Sequence, residues 1–406
     1  GVGPSRFSYC CNPSFCSMLY FHNMKNIVLL GATGSIGQSA LNVLRQNSDS
    51  FNLLGIAFNN NFDIALDIAN EFKPDFIFYS ANVTNKDHPL FSFDAEILSK
   101  SANLREMIQH PKVDVVISAV SGFAGLEASY FAIDAGKIIL VANKESIVSA
   151  GDLLIPLADK KNTTIVPIDS EHNAIHQCLL VDNDLTKILK LLITASGGPF
   201  KELSMEELKH VSIQDALKHP TWVMGPKITI DSATLVNKCL ELIEANYLFD
   251  IPESKIDISV HPQSIVHSMI TFIDGSTIAH LSNPKMEVPI ANALGLEGRL
   301  PIQFDELDFS SLELTFEPIP EGRESIFQIA REVCRNRGNL GTIFNAANEI
   351  AVQAFIDQRI NFVDIYEVVI RTFSHFSCSN IESLEEIFEY DKQARIEAEK
   401  VIKSIN

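Results

Sequence analysis

Residues 25–37 read Lys25-Asn26-Ile27-Val28-Leu29-Leu30-Gly31-Ala32-Thr33-Gly34-Ser35-Ile36-Gly37, an apolar run that empties into a glycine-rich turn. From Ile36 to Leu44 the apolar residues then recur at i, i+3 and i+4, so the stretch reads as strand, turn, helix. Glycines at such a turn let the backbone approach a pyrophosphate. The helix N-terminus offers that group unpaired N–H donors and a partial positive charge. The spacing is GxxGxxG rather than GxGxxG, and a tight strand-to-helix turn without a ligand is the alternative. Its place directly after an apolar strand favours dinucleotide binding.

Outward from this turn the same alternation continues. Short β-branched runs at 26–30, 52–57, 75–79, 113–120, 137–142 and 163–168 predict strands, separated by helical patterns such as 36–44 and 124–133. Strand, helix, strand in repetition predicts an α/β fold with a Rossmann-like parallel sheet covered on both faces. The strands are continuous apolar runs, as double-sided burial requires. After the second run, where an NAD enzyme would place an acid for the ribose 2′-hydroxyl, the chain reads Phe58-Asn59-Asn60-Asn61. With no acid to repel a 2′-phosphate, NADP is favoured, although no Arg or Lys is supplied there either.

The chain has 406 residues, 46% hydrophobic and 20% charged, enough for two or three domains with real cores. Its 51 acidic and 32 basic side chains leave a formal charge of −19, and no basic stripe offsets it. Nucleic acid and anionic membrane are therefore excluded as partners. An anionic ligand must be held by a few local cations and backbone N–H groups. No run approaches the roughly 18 apolar residues that cross a bilayer. The cysteines, at 10, 11, 16, 178, 239, 334 and 378, are odd in number and form no CxxC pair, which predicts free thiols in a reducing, cytoplasmic compartment. Residues 1–23 hold three cysteines, several aromatics and no acid ahead of Met24. They read as a leader or extension before a natural start at Met24, with a targeting-peptide remnant as the alternative.

The second half carries separate polar motifs. Asp169-Ser170-Glu171 follows the sixth predicted strand at its carboxyl end, where two carboxylates can converge on one oxygen-loving cation or can simply cap a helix. Ser196-Gly197-Gly198-Pro199 suits a phosphate or an ordinary loop. His219-Pro220-Thr221-Trp222-Val223-Met224-Gly225-Pro226-Lys227 holds the only Trp, and its prolines and glycine predict a loop able to close over a substrate, unless the Trp plugs a core. A helix beginning near Asp231-Ser232 would put Asn237, Lys238 and Glu241 on one face, toward a cleft or in a surface salt bridge. His261-Pro262-Gln263-Ser264 and His267 lead into a hairpin turning at Asp274-Gly275. Helical patterning runs from about residue 321, includes Asn345-Ala346-Ala347-Asn348-Glu349, and ends in an acidic segment over 381–406 that presents a solvated face.

Taken in order, GATGSIG (31–37), ANKES (142–146), PIDSEH (167–172), SGGPF (196–200), HPTWVMG (219–225), KITIDSATLVNK (227–238), HPQSIVHS (261–268) and NAANE (345–349) closely resemble the 1-deoxy-D-xylulose 5-phosphate reductoisomerase family, from about Met24 to the C-terminus. The resemblance implies a leader at 1–23, an NADPH-binding domain over 24–168 and a catalytic α/β domain with a mobile lid over 169–296. A linker over 297–320 and a C-terminal α-helical domain over 321–406 would complete the chain.

It further implies Mg2+ or Mn2+ held by Asp169, Glu171 and Glu241. Ser196, Ser232, Asn237 and Lys238 would grip the substrate phosphate. Lys144, Ser170, Glu171 and His219 would meet the substrate's oxygens, with Lys144, Glu171 and His219 catalytic, Trp222 above and Met286 below. Gly31, Thr33, Gly34, Ser35, Ile36, Asn61, Asn143, Glu145 and Gly225 would touch NADPH. The implied activity is a metal-dependent skeletal rearrangement of the phosphosugar with hydride reduction as its second step, in a homodimer. A plain NADP-dependent aldehyde reductase would not need three metal-binding carboxylates. A non-catalytic dinucleotide sensor would show a damaged catalytic set, and none of these residues is missing. The chain departs from the family pattern at residues 58–61, at Pro226, at Cys239, and at Lys285 and Glu287 flanking Met286.

Overall fold

The computed structural model describes residues 24–296 and 298–405; the leader at 1–23 lies outside them. The chain begins as β1 (Lys25–Leu30), α1 (Ser35–Gln46), β2 (Phe51–Phe58), α2 (Phe62–Phe72) and β3 (Phe76–Tyr79). It continues through β4 (Glu96–Leu98), α3 (Ser101–Gln109), β5 (Val115–Ser118), α4 (Leu126–Asp134), β6 (Ile138–Val141), α5 (Lys144–Lys161) and β7 (Ile165–Pro167). These seven strands form one parallel sheet in the order β4-β3-β2-β1-β5-β6-β7. Residues 27–30 of β1 and all of β5 are buried, as central strands covered on both faces must be.

The strand order reverses between β1 and β5, and the crevice beyond their carboxyl ends is where such sheets take ligands. All six predicted strands are present. Sequence patterning misses β4, a three-residue edge strand in which only Leu98 is buried, too short to show a period. The seventh strand, not the sixth, therefore precedes Asp169.

A second unit comes next: α6 (Ser170–Leu179), β8 (Ile188–Ala195), α7 (Ile213–Ala216), α8 (Pro226–Thr234), α9 (Val236–Phe249), β9 (Ile256–Val260), β10 (Val266–Phe272), β11 (Thr277–Leu281) and α10 (Glu287–Gly295). Its four-stranded sheet has the order β11-β10-β8-β9, with β10 antiparallel to both neighbours and β8 parallel to β9. The 231–241 helix predicted from sequence is two helices. Leu235, at φ 67°, ends α8 in the left-handed region and restarts the chain as α9. Its side chain is buried, so packing holds a backbone shape that a leucine disfavours.

Helices α11 (Glu324–Asn336), α12 (Leu340–Ile356), α13 (Asp364–His375) and α14 (Leu384–Ile405) close the chain. Helix α12 packs against α13, α14, α5 and α8, which places its polar residues behind the crevice. The acidic terminal segment presents a solvated face and buries the opposite one. Ile387, Ala394, Ala398, Val401 and Ile402 form a buried stripe at helical spacing, each large apolar side chain contributing about 2 kcal/mol. No described helix is long and apolar enough to cross a membrane.

Candidate active site

Three carboxylates from two distant segments meet at the end of the parallel sheet. Asp169 precedes α6, Glu171 lies in its first turn and Glu241 lies on α9, and each offers an oxygen within 4.8 Å of the others. Two ammonium groups hold them together. Lys144 Nζ, at the start of α5, lies 2.7 Å from Asp169 Oδ1 and 2.8 Å from Glu241 Oε1, and donates to Asn237 Oδ1 at 2.9 Å. Lys238 Nζ donates to Glu171 Oε1 at 2.8 Å and to Glu241 Oε2. Ser170 Oγ donates to Glu171 Oε2 at 2.6 Å, and Asn237 Nδ2 to Glu241 Oε1 at 2.7 Å.

The crowding registers in the acidities. Burial and the neighbouring Asp169 and Glu171 raise the Glu241 carboxyl above its usual range, more than Lys144 and Lys238 offset. For Asp169, burial is outweighed by Lys144 and His172, which hold it well below the usual range. His172 donates from Nε2 to Glu241 O at 2.8 Å, while its Nδ1 lies 2.9 Å from Asp169 Oδ2 and 3.1 Å from Glu244 Oε2. Burial lowers this imidazole's pKa, but Glu244 and Asp169 raise it above its usual value. Three converging carboxylate oxygens, with no sulfur or nitrogen among them, fit a hard divalent cation such as Mg2+ or Mn2+.

A second cluster lies beside the first. Gly197 and Gly198 turn at φ 85° and 69°, and a Cβ on Gly198 would come within 2.8 Å of Ser232 O, so only glycine brings this turn onto α8. His219 Nδ1 accepts the N–H groups of Trp222 (2.8 Å) and Thr221 (3.1 Å). The ring proton must therefore sit on Nε2, which lies 3.1 Å from both Ser196 Oγ and Ser232 Oγ. Burial, with Lys238 nearby, lowers the His219 pKa to about 4 and keeps the ring neutral. Two hydroxyls, an imidazole N–H, Asn237 and Lys238 supply donors suited to a phosphate. Trp222 lies on the segment entering α8 and meets the His267 ring nearly edge-on at 6.2 Å.

One cavity of about 350 Å³ joins these clusters to the glycine turn. Its lining includes Lys144, Asp169, Ser170, Glu171, Ser196, His219, Trp222, Ser232, Asn237, Lys238, Glu241 and Met286, together with Gly34, Ser35, Ile36, Glu145 and Gly225. Gly31, Thr33, Asn61 and Asn143 do not line it. Gly31, at φ 79°, shapes the turn, since a Cβ there would sit 2.5 Å from Ala119 O. Asn143 caps α5 by accepting Ser146 N–H at 2.7 Å, and donates to Gly122 O at 2.6 Å and to Val120 O. Asn61 caps α2 by accepting Ile64 N–H at 3.2 Å. Sequence reading assigned no role to His261, Ser264 and His267, which also line the cavity. The signal available was the density of polar residues over 261–268, ahead of a hairpin.

Known proteins share this architecture. Residues 27–151 match the family model described as 1-deoxy-D-xylulose 5-phosphate reductoisomerase, residues 165–249 its C-terminal domain, and residues 281–397 a further DXP reductoisomerase C-terminal domain. A 1-deoxy-D-xylulose 5-phosphate reductoisomerase of Bacillus cereus (strain AH187) is 42% identical over 375 residues, covering 92% of this chain and 98% of the relative. The chain belongs to the 1-deoxy-D-xylulose 5-phosphate reductoisomerase family.

A family member of Francisella tularensis subsp. novicida is 40% identical over 381 residues, covering 93% of this chain and 98% of its own. Among solved structures, the reductoisomerase from Zymomonas mobilis in complex with NADPH superposes with a TM-score of 0.87 at 38% identity, over 94% of this chain and all of that one. A reductoisomerase in complex with NADPH, fosmidomycin and magnesium superposes with a TM-score of 0.86 at 38% identity, over 94% and 99% of the two chains. The α/β fold with a C-terminal helical region is thus that of the reductoisomerase family.

Proposed function

We propose that this protein converts 1-deoxy-D-xylulose 5-phosphate to 2-C-methyl-D-erythritol 4-phosphate, using NADPH and Mg2+ or Mn2+. The reading is carried by one observation: Asp169, Glu171 and Glu241 converge beside a phosphate-suited cluster, in a cavity that opens onto the glycine turn. The relatives solved with NADPH and magnesium support it. When bound, the metal supplies Lewis-acid polarisation of the substrate's oxygens and NADPH supplies hydride.

The chain's own residues do the rest. Asp169, Glu171 and Glu241 hold the metal. Lys238, Asn237, Ser196, Ser232 and the Nε2–H of His219 anchor the phosphate, which keeps fragments in place while a carbon–carbon bond breaks and re-forms. Ser170 orients substrate oxygens, and Lys144 presents a proton at Nζ to oxygen as negative charge develops. Trp222 covers the substrate and excludes water, with Met286 below. Gly34, Ser35 and Ile36 present the N-terminus of α1 to the cofactor pyrophosphate, with Glu145 and Gly225 at the nicotinamide end. His219, as a neutral donor fixed at Nδ1, acts by binding rather than as a base.

A cytoplasmic setting is part of the reading, supported by the free Cys178, Cys239, Cys334 and Cys378. So is a homodimer, supported by β11, an edge strand paired on one side only, and by the exposed Ile273 and Leu189 near that sheet's end. Sedimentation at micromolar concentration tests the dimer. Incubation with 1-deoxyxylulose 5-phosphate, NADPH and Mn2+, with and without chelator, tests the reaction. NADPH oxidation that stops on chelation is expected; oxidation that persists would make the protein a plain reductase.

A further inference from the structure

The turn after β1 faces a second loop, residues 119–125 after β5, and together they wall the switch-point crevice. This loop lies outside the sheet, so its shape depends on side chains brought to it. Asn143 takes its carbonyls. Its N–H side is taken from the C-terminal helices, where Glu349 Oε1 of α12 accepts Phe123 N–H at 2.8 Å. Gly122, at φ 73°, permits the approach, since a Cβ there would lie 2.9 Å from that same oxygen. Glu349 Oε2 is pinned from behind by Arg395 of α14 at 2.6 Å, itself held by Asp391 at 2.7 Å.

The preceding residue does the same on the other side of the site. Asn348 is fully buried and its Nδ2 donates to Asp231 Oδ1 at 2.8 Å. Asp231 sits on α8, one residue before Ser232, and α8 begins where the Trp222 segment ends. Neither Asn348 nor Glu349 lines the cavity.

We propose that Asn348 and Glu349 form a positioning clip through which the C-terminal helices set the cofactor loop and the lid-bearing helix in register. The inference rests on the reductoisomerase reading and extends it to residues that touch neither ligand. Glu349 serves the cofactor side and Asn348 the phosphate side, and their adjacency on one rigid helix ties the two together.

The test uses the full chain with Mg2+. Glu349→Ala removes the acceptor for Phe123, whereas Glu349→Gln keeps an amide oxygen for it. The alanine variant should raise KM and Kd for NADPH about tenfold with kcat within about threefold, and the glutamine variant should recover most of that loss. Asn348→Ala should raise KM for the sugar phosphate about tenfold and leave NADPH binding within about threefold. Unchanged constants, exchanged effects, or a glutamine variant no better than alanine would overturn the clip. Were the alanine variants not to fold, hydrogen exchange in the wild-type protein decides. The Phe123 amide should be protected before NADPH is added, and protection that arrives only with cofactor overturns the inference. NADPH affinity, read by fluorescence, reports on the clip even if the wild type turns over no substrate, so the two readings fail separately.

Discussion

The ammonium of Lys144 lies 2.8 Å from Glu241 Oε1, although 97 residues separate them. Two of the three proposed metal acids, Asp169 and Glu241, thus share one buried cation, and Glu241 also receives Lys238 and Asn237. Glu241 is the hub of the acid cluster, reached by groups from α5 and α9.

Removing its charge should separate chemistry from cofactor binding. Glu241→Gln keeps the side chain's shape and loses an anionic metal ligand, so turnover should fall at least about a thousandfold, the several kcal/mol of a Lewis-acid contribution. NADPH affinity should stay within about threefold, since the glycine turn is untouched. Fluorescence titration beside a turnover assay reads both. Collapse of NADPH binding would show that α9 serves the fold and not a metal.

Lys238 is nearly as buried, and burial is outweighed by Glu171 and Glu241, which hold it charged. Lys238→Ala should weaken fosmidomycin, a phosphonate bound in a solved relative, by about 1.5–3 kcal/mol, roughly 10- to 100-fold. An unchanged inhibition constant would remove Lys238 from the phosphate site.

The His219 ring should make the fold sensitive to acid. Its pKa is lowered from 6.5 to about 4 by burial and Lys238, so between those values the unfolded chain binds a proton that the folded one refuses. The stability held by the neutral ring is present above about pH 6.5 and is lost as pH falls toward 4. Protonating Nδ1 would also expel the Thr221 and Trp222 N–H groups. Thermal melts from pH 7.5 to 4 should decline, less so in His219→Asn. An NMR titration placing His219 near 6.5 in the free protein would contradict this.

Cofactor preference should be modest. At the end of β2, Asn59 Oδ1 accepts Ser80 Oγ at 3.0 Å and Asn61 caps α2, so residues 58–61 offer a 2′-phosphate neutral donors only. Asn60→Arg should increase the ratio of kcat/KM for NADPH over NADH about tenfold through one charge-assisted bond. A ratio that does not move would place the 2′-phosphate elsewhere.

Local signals carried the nucleotide domain. The alternation of apolar runs and helical periods, the glycine turn and the acids at Asp169 and Glu171 are all readable over a few residues, because backbone geometry and side-chain period are local properties. The resemblance to a known family, not any local signal, grouped Lys144, Ser196, His219, Lys238 and Glu241, which the fold brings to one cavity. Tertiary packing alone decided the features that depend on neighbours distant in the chain: the left-handed break at Leu235, held by burial of its side chain, and the commitment of Asn143 to the loop after β5. The same holds for the reach of Glu349 to Phe123, across 226 residues. A hydrogen bond or an ion pair needs its partner placed to within a few tenths of an ångström, and only the assembled core can do that.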